Sequence, residues 1–100
     1  MLLYNITVAI DVEVEQRWVQ WMKGDLIPLM VGAGLLSDSR LYKVVTHDDP
    51  HTSSYCIQYF FESSENLNRY VSEYAPVFIQ QLQSNFPNQH AVFQTLLEEV

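Results

Sequence analysis

Six side chains able to form hydrogen bonds, Asn5, Thr7, Arg40, Tyr42, Gln58 and Gln94, stand in stretches that are otherwise apolar and strand-like. An arginine fork matches the geometry of a carboxylate or phosphate. Amides orient carbonyl and hydroxyl groups. A small-molecule site needs only a few such groups converging in an apolar wall. Asn5, Arg40, Tyr42, Gln58 and Gln94 are therefore the candidate ligand-binding residues. The competing reading is a hydrogen-bonded subunit interface with trapped water.

A second group is aromatic. Trp18, Trp21 and Met22 fall at helical spacing, and Tyr59 lies on a strand that could face them. Together they could form a flat slot between helix and sheet, fit for an aromatic substrate or haem. With Asn5 stabilising an oxyanion, such a slot would suit a cofactor-independent monooxygenase. Aromatics at this spacing are also what ordinary core packing uses.

Other candidates are weaker. His47, Asp48, Asp49 and His51 are metal-ligand types, but they sit in a Pro-containing turn, which favours solvation. Cys56 has no cationic sequence neighbour to lower its pKa, so a small buried core residue is the expectation. As the single cysteine it allows no intrachain disulfide and no Cys-based metal site. His90 has no acidic neighbour, and Glu13, Glu15, Glu98 and Glu99 read as solvated. The chain shows no Gly-rich phosphate loop, Ser nucleophile elbow or HExxH, so neither a metal nor a cofactor is expected.

The elements that must position these residues follow from periodicity. Leu2 to Ile10 alternates as a strand, with Tyr4, Ile6, Val8 and Ile10 on one face. Asp11 offers an N-cap to a helix whose apolar stripe is Val14, Trp18, Trp21, Met22 and Leu26. Pro28 collides with the carbonyl of Gly24, so the helix should kink or restart near Gly24–Asp25, with Asp25 as cap. Gly32 and Gly34 stop it. Leu36 to Thr46 is a second strand, and HDDPHTSS (47–54) a turn. Tyr55 to Glu62, almost wholly apolar, is a third strand and the centre of the sheet. Ser63 or Ser64 caps a second helix striped by Leu67, Tyr70, Val71, Tyr74, Phe78 and Leu82 and interrupted at Pro76. His90 to Leu97 is the last strand.

The order β-α-β-β-α-β, with right-handed crossovers, predicts an α+β, ferredoxin-like sandwich over residues 1–100 as one domain. Its four-stranded antiparallel sheet would have strands one and three central and both helices on one face. Tyr4, Ile6, Val8, Leu41, Ile57, Tyr59, Phe61 and Phe93 are expected under the helices. Leu3, Asn5, Thr7, Arg40, Tyr42, Val44, Gln58, Phe60, Gln94 and Leu96 are expected on the open face. That surface is too apolar for a monomer. A second copy, sheet against sheet about a two-fold axis, is the simplest cover.

The runs YNITV, WVQWM followed by Ile27-Pro28, YCIQYF, EYAP and AVFQTLL resemble, in order and spacing, a family of small uncharacterised bacterial proteins. That family carries a domain of unknown function within the dimeric α/β-barrel superfamily. The wider superfamily includes antibiotic-biosynthesis monooxygenases, haem-degrading enzymes, EthD-like proteins and muconolactone isomerase-like proteins. The resemblance spans nearly the whole chain and implies the fold and the homodimer. It implies no activity.

The formal net charge is −7, with twelve acids against five Lys and Arg. That argues against nucleic acid and anionic membrane surfaces. The N-terminal stretch lacks a basic start and is too short for a signal peptide, and no segment has the length of a membrane span. A soluble cytoplasmic protein is expected. The leading functional expectation is a homodimer that binds a small molecule in the barrel or in the helix–sheet cleft. The alternatives are the monooxygenase-like enzyme and a structural or interaction protein without ligand.

Overall fold

A computed structural model describes residues Met1–Val100. The chain runs through strand β1 (Leu2–Asp11), a 3-10 turn (Val12–Val14), helix α1 (Glu15–Trp21), a π-helical turn (Met22–Leu26), helix α2 (Ile27–Gly32), β2 (Asp38–Lys43), β3 (Thr52–Phe61), α3 (Ser64–Glu73), α4 (Ala75–Asn85) and β4 (His90–Glu98). The four strands form one sheet in the order β2-β3-β1-β4, and every neighbouring pair is antiparallel. This is the ferredoxin-like arrangement, with β1 and β3 at the centre.

Alternation in the central strands decides which face is dry. Tyr4, Ile6, Val8 and Ile10 of β1 and Tyr55, Ile57, Tyr59 and Phe61 of β3 are all buried. They share one core with Trp18, Met22, Leu26 and Met30 of the first helical arm and with Leu67, Tyr70, Phe78 and Leu82 of the second. The intervening residues, among them Leu3, Asn5, Thr7, Gln58 and Phe60, remain partly exposed on the other face.

The first arm accommodates Pro28 differently from the expected restart. The helix widens for one turn instead, and the Ile27 N–H reaches back to the Met22 carbonyl. A π turn absorbs the mismatch that a proline introduces without breaking the helical path. Neither Asp25 nor Asp11 makes a capping bond. The second arm behaves as its sequence predicts. Ser63 caps α3 by accepting from the Asn66 N–H at 3.1 Å, and Pro76 opens α4 in its first turn. Strand β2 is shorter than expected. Strand β3 is longer, because β1 runs on to pair Asp11 with Thr52.

One expectation is overturned. Ile6 pairs with Gln94 and Tyr4 with Leu96, so both β4 residues lie on the helix side; Phe93, opposite Thr7, lies on the open face and is 64% exposed. The apolar doublets Val92-Phe93 and Leu96-Leu97 carry no two-residue period, so they cannot reveal which face is which. Long-range bonds set the register instead. The Asp11 N–H donates to the Gln89 carbonyl and the Glu99 N–H to the Met1 carbonyl, both at 3.0 Å.

Two buried polar atoms, Trp18 Nε1 and Tyr70 Oη, have no hydrogen-bond partner. An unpaired buried hydroxyl costs roughly 1–3 kcal/mol. Tyr70→Phe is expected to raise stability by about 1 kcal/mol, seen as a thermal midpoint roughly 4–8 °C higher in a domain of this size. A lower midpoint would mean that the hydroxyl has a partner in solution.

Candidate functional site

Pairing across the sheet arranges the open-face side chains in transverse rows, because residues directly opposite one another point to the same side. The middle row is Arg40–Gln58–Asn5–Thr95, one residue from each strand. On one side of it lies Asp38–Phe60–Leu3–Leu97. On the other lies Tyr42–Cys56–Thr7–Phe93. A strip of hydrogen-bonding groups thus crosses the sheet between two rows that are mostly apolar or aromatic.

Four of the five expected ligand-binding residues, Asn5, Arg40, Tyr42 and Gln58, share this face. Gln94 does not. It lines a groove of about 400 Å³ on the helix side, together with Tyr4, Ile79, Gln80 and Gln83. Thr95, which the sequence reading left out, takes its place in the row. The signal for Thr95 is the register alone.

Local bonds refine the chemistry of the row. Asn5 Nδ2 donates to Thr7 Oγ1 at 3.4 Å, and Thr7 Oγ1 lies 3.8 Å from Cys56 Sγ. Cys56 is partly exposed on the open face, which corrects the expectation of a buried core thiol. Arg40 is not a free cation. Its Nε lies 3.1 Å from Asp38 Oδ2, and its guanidinium stacks over the Phe60 ring at 5.2 Å. An anion would have to compete with Asp38. Beside this pair a depression of about 280 Å³ has Leu3, Phe60 and Leu97 as its floor and Glu98 and Glu99 at its edge.

The aromatic trio does not form a slot with Asn5. Trp18 and Tyr59 are fully buried. The Trp18 ring packs on Tyr55 at 4.9 Å, and Tyr59 on Tyr70 at 5.3 Å. Trp21 stacks with Phe78 at 6.3 Å and lines a different cleft, between Arg17 and Asp25. Tyr59 and Asn5 lie on opposite faces of the sheet, so no single substrate touches both. Burial pushes the Tyr59 and Tyr70 hydroxyls above their ordinary range, which keeps both neutral.

The hairpin side chains are occupied locally. His47 Nε2 meets Thr52 Oγ1 at 2.8 Å, and Asp49 accepts from the His51 N–H at 2.8 Å. That backbone bond holds the Asp49 carboxyl below its usual range. No three potential metal ligands stand together anywhere in the chain.

One cluster escaped the sequence reading. Glu15 accepts from Ser53 Oγ at 2.9 Å and from the Tyr55 hydroxyl, and pairs with Lys43 Nζ at 3.1 Å. It ties the start of α1 to the β2–β3 hairpin. The Tyr55 hydrogen bond lowers the Glu15 pKa. Burial, then the Glu15 carboxylate, pushes Tyr55 up to about 12. These four residues are scattered through the sequence, and no local pattern announces them.

The chain matches the family defined by a domain of unknown function, DUF4286, over residues 1–100, and it belongs to that family. No curated protein sequence matches it. Among solved structures it is similar to an EthD family protein from Bacillus halodurans C-125, at 14% identity and TM-score 0.69 with both chains fully covered. It is also similar to a protein described as an antibiotic biosynthesis monooxygenase, at 15% identity and TM-score 0.66, covering 100% of this chain and 99% of that one. A third is a dimeric ferredoxin-like protein from an uncultured marine organism, at 11% identity and TM-score 0.67, covering 100% and 95%. At these identities the likeness shows the fold. No helix is long and apolar enough to cross a membrane.

A carboxylate whose pKa falls on folding stabilises the native state above its unfolded pKa, and loses that effect as pH drops through the folded value. Glu15→Gln should therefore lower the urea midpoint at pH 7, and the two proteins should converge as pH falls below the ordinary glutamate range and the wild-type carboxylate protonates. A difference that persists unchanged at low pH would assign the effect to shape, not charge.

Proposed function

We propose that this chain acts as a homodimer, closed open face to open face, that binds a small polar molecule beside the Arg40–Gln58–Asn5–Thr95 row. One observation carries the reading: a hydrogen-bonding strip flanked by apolar rows on a face that no helix covers. Around the strip, Leu3, Phe60, Tyr42, Phe93 and Leu97 supply apolar contact area; Tyr42 and Leu97 are 47% and 45% exposed in the single chain. Two such faces in contact would remove that surface from water, at roughly 25 cal/mol for each Å² of apolar area. They would also enclose amides and hydroxyls that need partners. Bound ligand or ordered water supplies them. The similar ferredoxin-like protein described as dimeric is consistent with a homodimer.

The Asp38–Arg40 pair shapes the ligand. With the Asp38 carboxylate beside the guanidinium, the row favours neutral groups bearing carbonyl or hydroxyl functions over a free anion. The monooxygenase-like reading draws no support from the geometry, since the aromatic residues and Asn5 do not meet. With no basic patch and a net charge of −7, nucleic acid is a poor partner. The reading is of a cytoplasmic protein, as its sequence suggests.

Sedimentation equilibrium at micromolar concentration tests the association. Phe60→Glu places a charge in the proposed interface and is expected to halve the assembled mass while the far-ultraviolet circular dichroism stays unchanged. Native mass spectrometry of protein purified from its own host should show a co-purifying small molecule, lost in Asn5→Ala with Gln58→Ala. An unassociated wild-type chain would remove the shared site.

A further inference from the structure

The two edges of the sheet are built differently. Strand β2 is short, six residues, and carries Asp38, Arg40 and Lys43. Charges and brevity are how natural sheets stop an edge from pairing. Strand β4 is nine residues long and, from His90 to Leu97, has no acidic residue, lysine, arginine or proline. Its pairing with β1 runs without a bulge from Ile10–His90 to Leu2–Glu98. Leu96, on the helix side and outside the open face, is 59% exposed.

The hydrogen bonds at the two ends of β4 fix which main-chain groups are free. The Gln89 carbonyl accepts from the Asp11 N–H, and the Glu99 N–H donates to the Met1 carbonyl, both at 3.0 Å. Odd-numbered residues therefore turn their main-chain groups toward β1. His90, Val92, Gln94, Leu96 and Glu98 turn theirs outward, since antiparallel pairing alternates.

We propose that the outer edge of β4 pairs with β4 of a second copy, antiparallel about a two-fold axis through Gln94. In this register His90 meets the partner's Glu98, Val92 meets the partner's Leu96, and Gln94 meets the partner's Gln94. Base faces acid, apolar faces apolar, and amide faces amide, and each pair exchanges both main-chain bonds. On the opposite side of the ribbon Ala91 meets the partner's Leu97, and Phe93 meets the partner's Thr95. Sliding by two residues either way sets His90 against leucine or Glu98 against valine, so the sequence of the strand selects one register. The Phe86 carbonyl accepts from His90 Nδ1 and fixes the orientation of the ring.

This interface is separate from the open-face contact. The edge is joined by the outward main-chain groups of even-numbered residues, whereas the open-face contact is made by the surfaces that Phe93, Thr95 and Leu97 turn away from the sheet. Both together would give a dimer of dimers. The inference does not depend on the ligand or on the open-face reading.

Register-specific cross-linking tests it. In a Cys56→Ser background, Gln94→Cys is expected to form an intersubunit disulfide under mild oxidation, because a hydrogen-bonded antiparallel pair sets its Cα atoms about 5.5 Å apart, within disulfide range. Thr95→Cys, whose edge partner is Phe93, should stay reduced once Phe60→Glu has removed the open-face contact. Gln94→Pro deletes an outward donor without touching the β1 ladder, where an edge strand tolerates proline. It should halve the assembled mass of the wild type, and combined with Phe60→Glu it should give monomers. Cross-linking that is absent, or equal at positions 94 and 95, would overturn the proposal, as would an unchanged mass in Gln94→Pro. If Phe60→Glu alone leaves the mass unchanged, only the open-face reading fails.

Discussion

A single layer of helices can shelter only one face of a four-stranded sheet, and the rest of this structure follows from that constraint. The sheltered face collects the eight buried apolar side chains of β1 and β3, with the helical arms laid over them. Because successive residues of a strand point in opposite directions, every residue that anchors the core obliges its neighbour to face away from it. The open face is thus not free to be uniformly polar. Its composition is tied, one residue on, to strands whose β-branched and aromatic character the core requires. Leu3, Cys56 and Phe60 sit there as the alternates of Tyr4, Tyr55, Ile57, Tyr59 and Phe61.

The sheltered side carries its own tension. Tyr70 packs its ring against Tyr4, Tyr59, Phe61 and Tyr74 at centroid distances of 5.3–6.2 Å. Large rings bury much area, and the edge-to-face contacts with Tyr4 and Tyr59 suit their quadrupoles. Polar satisfaction is lost to that packing, since the Tyr70 hydroxyl and the Trp18 indole N–H lie buried without partners. Burial raises the pKa of Tyr4, Tyr59 and Tyr70, so these phenols serve as neutral packing groups. The helix–sheet layer is a filled core in which ring geometry outweighs polar satisfaction. This is the physical reason that no aromatic slot opens around Trp18 and Tyr59.

How much of this is legible in the sequence differs from element to element. Strand β1 alternates cleanly and β3 is apolar along most of its length, so their central position is legible, and the two-residue period of β1, β2 and β3 places Asn5, Arg40, Tyr42 and Gln58 on one face. The second helical arm is equally readable, because Ser63 and Pro76 act through local sterics and a local hydrogen bond. Strand β4 is opaque for the opposite reason: its apolar doublets are compatible with either face, and bonds to residues distant in sequence set its register. Gln94 and Phe93 exchange sides on that account. The π turn at Met22–Leu26 shows a third limit. A proline announces a disturbance in a helix, but whether it breaks, kinks or widens depends on the core that holds both ends. The Glu15 cluster is invisible for a fourth reason, since its four members meet only once the hairpin has folded back on α1.

Electrostatics explains why self-association is compatible with an acidic chain. Two copies at −7 repel at long range, yet the three central rows of the open face carry only one acid and one base, Asp38 and Arg40, and these are paired. Most of the excess acid lies elsewhere, on α3 as Glu65 and Glu73, in the 3-10 turn and at the start of α1 as Glu13 and Glu15, and at the hairpin tip as Asp48 and Asp49. Repulsion between copies is therefore spread over surfaces that need not meet and is weakened within a Debye length of about 8 Å at physiological salt. The surface that would meet is locally neutral and largely apolar, so desolvation acts where charge does not. Glu98 stands at the far end of β4 from His90, a placement that opposes parallel pairing of two edges and favours the antiparallel one. Net charge thus keeps unlike surfaces apart, and the distribution of that charge decides which like surfaces can touch.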